Sequence, residues 1–386
     1  MQPTLDSRPV FHRVDSLRFL GCAMVAAYHF CDYRVHGVQL LPETPWPDCG
    51  PAQQWIPAVA HVLMAGHAAV MVFFVISGFV LRLSLEHGPQ TFGPAAAKFL
   101  IARAFRISPI VAFGVAMTAL SLGGIVGQTD PHRLTIAEYI ANSLLLQRTV
   151  NLSYWALQVE LLMAPAILVL YFVERRYGPS AVLGTGVVTS LLLFTGSWLY
   201  WQPLSINFFS FVLGMTIPTF GRTWVKAMSK RAAILWTLGA ALILFSTRPC
   251  LGLYTRYSTF IEGYAGAVLV AMVAYRSDLS GLRFLDWRGL SRPGVASGSY
   301  YVLHSATFGI SVASAAWLVP SDWSVEMPAV VGVLVITAWL IALVPVSMAS
   351  YRLIEAPGIA LGKRAIRRFG LDRTREIPVF PRRLAA

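Results

Sequence analysis

Charge is scarce in this chain: 13% of its 386 residues are Asp, Glu, Lys or Arg, about half of the ~25% usual in a soluble domain. With 56% hydrophobic residues and a mean hydropathy of +0.61, that scarcity excludes a disordered tail protein and argues against an ordinary soluble enzyme. Cysteine is scarce as well. Cys22, Cys31, Cys49 and Cys250 form no CxxC and no Cys/His zinc spacing. Cys49 and Cys250 fall in loops assigned below to the outer side, and free thiols are the favoured reading because spacing alone does not bring them together. Internal repeats are missing, which weakens an inverted-repeat transporter. A cleaved leader is not expected, because the first apolar run follows Asp6, Arg8, Arg13 and Asp15 and itself holds Arg18 and His29.

What is present is a series of long apolar runs. At about 20 residues per crossing, ten crossings take about 200 residues and leave short loops and two tails. The expected fold is therefore all-α: a polytopic integral membrane bundle of about ten helices, near 14–33, 57–84, 99–125, 152–173, 180–201, 204–221, 232–247, 258–275, 294–318 and 328–350. Of the 31 basic residues, 25 fall on one side of this layout and five on the other, with Arg18 inside a helix. The positive-inside rule then puts both termini in the cytoplasm of a cell that carries the protein in its inner membrane. It also accounts for the formal charge of +13 without a nucleic-acid partner. Residues 1–357 are expected to form the membrane domain and 358–386 a basic cytoplasmic tail. The semi-apolar segment 134–147 is expected to lie flat on the outer surface.

Titratable groups inside the apolar runs are costly, so each invites a functional reading. Arg18 and His29 are eleven residues apart, three helical turns plus about 20°, and share one stripe about 16 Å long. Asp15, three residues before Arg18, can pair with it. Arg103 and Arg106 are helical neighbours able to clamp phosphate, although by spacing alone headgroup anchoring is the favoured reading. Glu160 shares a face with Ser153 and Ala156 and needs a partner within the bundle, a histidine to orient or a hydroxyl to bond. Ser297, Tyr301 and His304 make another polar stripe, which reads equally as an interhelical hydrogen-bond seam. His61 and His67 lie on different faces; with no HxxxH or HExxH, a metal site is not expected. Ser77-Gly78 reads as close helix packing before it reads as a nucleophile.

These residues resemble the membrane acyltransferase type 3 family, whose members O-acylate surface polysaccharides, Nod factors and some macrolides. Arg18 with His29 is similar to its first signature, residues 73–79 (FFVISGF) to its second, and Arg103-Ala-Phe-Arg106 with Ile107-Ser108-Pro109 to its third. Residues 154–160 resemble its tryptophan-to-glutamate motif, Ser297, Tyr301 and His304 its late polar residues, and residues 351–357 its closing motif. Phe19, Ala156 and Met71 depart from the family's glycine, serine and acidic residue, which bears on the pocket's shape more than on the reaction. The resemblance implies an acyl-CoA donor, acetyl-CoA foremost, and a hydroxyl acceptor on a carbohydrate or glycosylated molecule. It implies Arg103, Arg106 and Arg18 as donor-binding residues, and His29, Arg18 and Glu160 as catalytic ones. Asp15, Ser77, Trp155, Tyr301 and His304 are expected to line or support the pocket. The competing expectation is a multi-pass permease for a small solute or lipid-linked sugar.

Overall fold

The computed structural model describes residues 11–31, 34–42, 51–120, 134–252 and 254–371. The chain opens with α1 (His12–Phe30), followed by a minimal hairpin of β1 (Arg34–Val35) and β2 (Val38–Gln39). Then come α2 (Pro51–Leu63), α3 (Gly66–Glu86), α4 (Phe92–Leu120), α5 (Ile136–Ser143), α6 (Trp155–Tyr177) and α7 (Pro179–Leu192). The second half holds α8 (Gln202–Thr216), α9 (Arg222–Ala227), α10 (Lys230–Leu251), α11 (Arg256–Tyr275), α12 (Arg288–Val295) and α13 (Ser297–Ala306). It ends with α14 (Phe308–Leu318), α15 (Ser321–Glu326), α16 (Pro328–Ser350) and α17 (Ala356–Arg368).

Apart from that hairpin the described chain is helical. Among the described residues, seven helical segments are long and apolar enough to cross a membrane, or eight if the bent pair α13–α14 counts as one span. Two of the ten expected spans fall short of that standard. One is α1, which carries Arg13, Asp15 and Arg18 in its first two turns; the other is α7, with 14 residues. The helix expected over 294–318 is in fact broken: α12 ends at Val295, and a 61° bend separates α13 from α14. At the bend the Thr307 hydroxyl donates to the Leu303 carbonyl at 2.6 Å and Ser311 to Phe308 at 2.6 Å. Such back-bonding competes with the helical ladder and bends it.

Small residues set the closest helix contacts. A Cβ on Gly78 of α3 would stand 2.0 Å from the Phe211 carbonyl oxygen, and one on Gly214 of α8 would stand 2.1 Å from that of Val75. The two backbones therefore touch, as the Ser77-Gly78 pair leads one to expect where helix association rests on packing rather than on expulsion of water. Gly294 gives α12 the same approach to α1, with its Cβ position 2.1 Å from the Asp15 carbonyl oxygen. At the far end of α16 the chain does not stop. A π-helical turn, Tyr351–Glu355, runs into α17, because Pro357 has no N–H for the ladder and its ring crowds the preceding turn. Gly358 and Gly362 seat α17 on Phe105 of α4. On the surface, the segment after residue 134 forms α5 behind a capping box of Thr135 and Glu138, with Ile136 81% exposed.

Loops at the end of the bundle where α1 begins are tied by ion pairs. Arg13 binds Asp286 at 2.6 Å, and Arg276 binds Asp278 at 2.8 Å while donating to the Val225 and Met228 carbonyls. These pairs hold Asp286 below the usual carboxylate range and Asp278 down to about 2. Cys250 is exposed and unbridged among the described residues, and its suggested partner Cys49 lies outside them.

Candidate active site

A cavity of about 100 Å³ opens between α1, α3, α4, α6 and α13. Arg18, Arg103, Arg106, Glu160, Glu355, Ser77, Ser297 and Tyr301 supply its polar lining. Arg103 and Arg106 come from one face of α4, as their spacing requires. The Arg103 Nη2 donates to Glu160 Oε1 at 2.5 Å, whereas its buried Nε has no partner. Arg106 Nε stands 3.8 Å from Glu355 Oε1, and the Ser299 hydroxyl donates to the other Glu355 oxygen at 2.8 Å. Arg18 forms no hydrogen bond or salt bridge with another described residue. Three guanidinium groups thus face two carboxyl groups, leaving at least one positive charge and several N–H donors unmatched. In a site of low dielectric such a set attracts a polyanion, and guanidinium is the donor best shaped for phosphate.

The histidines lie elsewhere. His29 Nδ1 is 2.9 Å from His304 Nε2, with the two rings parallel to within 4°. His304 is fully buried, and its Nδ1 hydrogen-bonds the backbone carbonyl of Tyr301. A carbonyl only accepts, so His304 carries its proton on Nδ1. In the neutral ring Nε2 must then accept from His29 Nδ1–H, which leaves the lone pair of His29 on Nε2. The tautomers follow from this hydrogen-bond network. His29 lines a second, smaller chamber together with Trp155, Tyr28, His67 and Tyr254. Tyr301 belongs to both spaces, so one phenol ring is shared by the arginine cavity and the chamber of His29; its hydroxyl is anchored on the Ser153 carbonyl at 2.9 Å.

The structure therefore divides the residues singled out in the sequence. Arg18, Arg103, Arg106, Glu160 and Ser77 line the arginine cavity, His29 and Trp155 line the chamber, Tyr301 lines both, and His304 stands behind His29. Two expected partnerships are not formed. Glu160 bonds Arg103 rather than a histidine, because α6 presents it to the cation of α4. Asp15 makes no salt bridge with Arg18. It sits where α1 crosses α12, outside the cavity lining, while Arg18 extends into the cavity.

Two features escaped the sequence reading. Glu355 entered only as part of the closing motif over 351–357, without the place in the cavity that its contacts with Arg106 and Ser299 give it. The His67–Glu262 pair joins α3 to α11 across 195 residues, a separation no local pattern encodes.

Residues 11–352 match the acyltransferase 3 family, described as an acyltransferase domain. No curated protein and no solved structure matches the chain. The family match runs from the start of α1 into the turn that carries Glu355, so it takes in every helix that contributes to the cavity and the chamber. An enzyme of acyl transfer replaces the permease alternative. With its helices, its cationic cavity and its buried histidine pair, the chain belongs to the acyltransferase 3 family and is a multi-pass membrane acyltransferase.

Proposed function

We propose that this acyltransferase moves an acyl group, acetyl foremost, from acyl-CoA to a hydroxyl of a carbohydrate or glycosylated acceptor, with His29 as general base. The observation that carries the reading is the unmatched cationic cavity that shares Tyr301 as a wall with the chamber of a histidine whose Nε2 keeps its lone pair. Arg103, Arg106 and the unpaired Arg18 hold the phosphates of the donor, and Glu160 and Glu355 fix the two arginines of α4. The thioester then lies beside Tyr301. His29 Nε2 takes the proton of the acceptor hydroxyl as its oxygen attacks the thioester carbon. On collapse of the tetrahedral intermediate the C–S bond breaks, and the imidazolium returns that proton to the departing thiolate. His304 is a positioning residue that holds His29 in the required tautomer. Alongside this chemistry we propose ten crossings of the inner membrane with both termini cytoplasmic, on the strength of the basic loops.

The test is His29→Ala in membranes supplied with radiolabelled acetyl-CoA. Loss of acetyl transfer by about 10²-fold or more, with acetyl-CoA binding retained, is the expected result. Unchanged transfer overturns the assignment. Mass spectrometry of surface glycans and small-molecule extracts, with and without the protein, identifies the acceptor.

A further inference from the structure

The buried pair of His67 and Glu262 has no part in the chemistry above. Both side chains are almost fully enclosed, at 4% and 3% exposure. Because His67 Nδ1 is engaged by Glu262, its Nε2 edge is the free one, as it is for His29. The two rings line the same chamber, whose volume is about 10 Å³, room for one water or one hydroxyl group. Its remaining walls include four aromatic rings, Tyr28, Trp155, Tyr254 and Tyr301, and among the described residues no arginine or lysine lines it, Arg248 stacking over the Tyr28 ring at 5.1 Å. Aromatic faces with polar edges suit a flat, uncharged, hydroxyl-bearing ring and offer nothing to a phosphate.

Tyr254 marks the way in. It is 57% exposed, its ring meets His67 edge-on at 4.8 Å, and its backbone holds the left-handed φ of 57° in the turn between α10 and α11. A non-glycine residue in that region stores strain that its surroundings must offset. That turn lies at one end of α11. The other end, at Arg276, touches Arg13 at the start of α1. Arg18 is near the start of α1 and His29 near its finish, so Tyr254 is at the end of the bundle away from the arginine cavity.

We propose that the chamber between His29 and His67 is the acceptor-hydroxyl subsite, entered past Tyr254 and suited to a neutral ring alcohol of the sugar type. His67, set by Glu262, meets the hydroxyl oxygen with its Nε2–H while the hydroxyl's own proton faces His29 Nε2, and the body of the acceptor rests on Tyr254. This rests on the general-base reading of His29.

The test places Tyr254→Cys in a background with Cys49 and Cys250 changed to serine; Cys22 and Cys31 are buried. Intact cells are treated with a charged maleimide that does not cross membranes, and their membranes are then assayed with radiolabelled acetyl-CoA and the cell's own glycan extract. Modification should cut transfer by about tenfold or more, the scale of a lost polar contact to an acceptor, and leave acetyl-CoA binding within about twofold. Glu262→Gln should raise the KM for the glycan extract while leaving that for acetyl-CoA unchanged, in protein that elutes as the parent does. Transfer unaffected by the modification, or equal loss of acetyl-CoA binding, overturns the proposal. If His29→Ala still transfers while modified Tyr254→Cys does not, the base assignment fails and the subsite stands.

Discussion

The arginine cavity and the histidine chamber are built from overlapping helices and share a wall, yet they solve opposite problems. The cavity concentrates charge: three guanidiniums against two carboxyl groups, with Arg18 and the Nε of Arg103 left unmatched. The chamber carries its polarity as a directed chain, Tyr301 carbonyl to His304 to His29, that moves a lone pair to a chosen nitrogen. One helix feeds both, since Arg18 and His29 lie about 16 Å apart on one stripe of α1. The difference teaches that a shared helical face does not mean a shared pocket. Tyr301, buried to 6% exposure, lines both the arginine cavity and the histidine chamber.

Substitutions that affect only one region test this division most directly. The largest effect expected is that of His29→Ala, about 10²-fold or more on transfer with donor binding intact; loss of donor binding instead would merge the two regions. Next is Arg103→Met. It leaves the partly exposed Glu160 without its hydrogen-bonded cation, which costs about 1–3 kcal/mol of stability, and it also weakens acyl-CoA binding. Arg18→Met sharpens the contrast. Because Arg18 has no hydrogen-bond or salt-bridge partner among the described residues to orphan, it should raise the KM for acyl-CoA by about ten- to hundredfold and leave thermal stability nearly unchanged. Melting of the two variants in detergent, beside donor titrations, separates the cases.

A smaller effect distinguishes the positioning role of His304. His304→Gln keeps an oxygen that can accept from His29 Nδ1–H, whereas His304→Leu removes the acceptor. The leucine variant should lose about tenfold more kcat than the glutamine variant, with both KM values unmoved. Equal losses in the two variants contradict the hydrogen-bond chain.

The smallest effect lies outside both pockets, in the loop pairs at the start of α1. Asp278 is held at about 2 by Arg276, and Asp286 is lowered by Arg13. A depressed carboxyl contributes its full stabilisation above the unfolded value, near 4, and loses it as pH falls toward the folded value. Melting temperature should therefore be insensitive to these groups from pH 7 to 5 and decline between about pH 4 and 2. Asp278→Asn should flatten part of that decline, and only part, because the pair is half exposed and screened.

Much of this was legible residue by residue. Long apolar runs announce helices because an isolated backbone in lipid has no other way to satisfy its hydrogen bonds. The i, i+3 spacing of Arg103 and Arg106 and the eleven-residue spacing of Arg18 and His29 are consequences of 3.6 residues per turn. Ser77-Gly78 signalled a close crossing, found against Phe211. The α13–α14 bend was not legible, since it depends on which way the Thr307 and Ser311 hydroxyls turn. Nor was the choice of partner for Glu160: an acid on an inward face must find a donor, but periodicity does not say whether α4 or α13 presents it.

By itself the sequence determined the helices, the faces they direct inward and the family to which the chain belongs, because each depends on local periodicity or on motif order along the chain. Only the tertiary structure decided that Arg103 takes Glu160, that His304 leaves the lone pair of His29 on Nε2, and that His67 meets Glu262 beside it. Those pairings join residues 57, 275 and 195 positions apart. They are fixed by how glycine-lined helices cross, and a contact between two helices is a property of neither one alone.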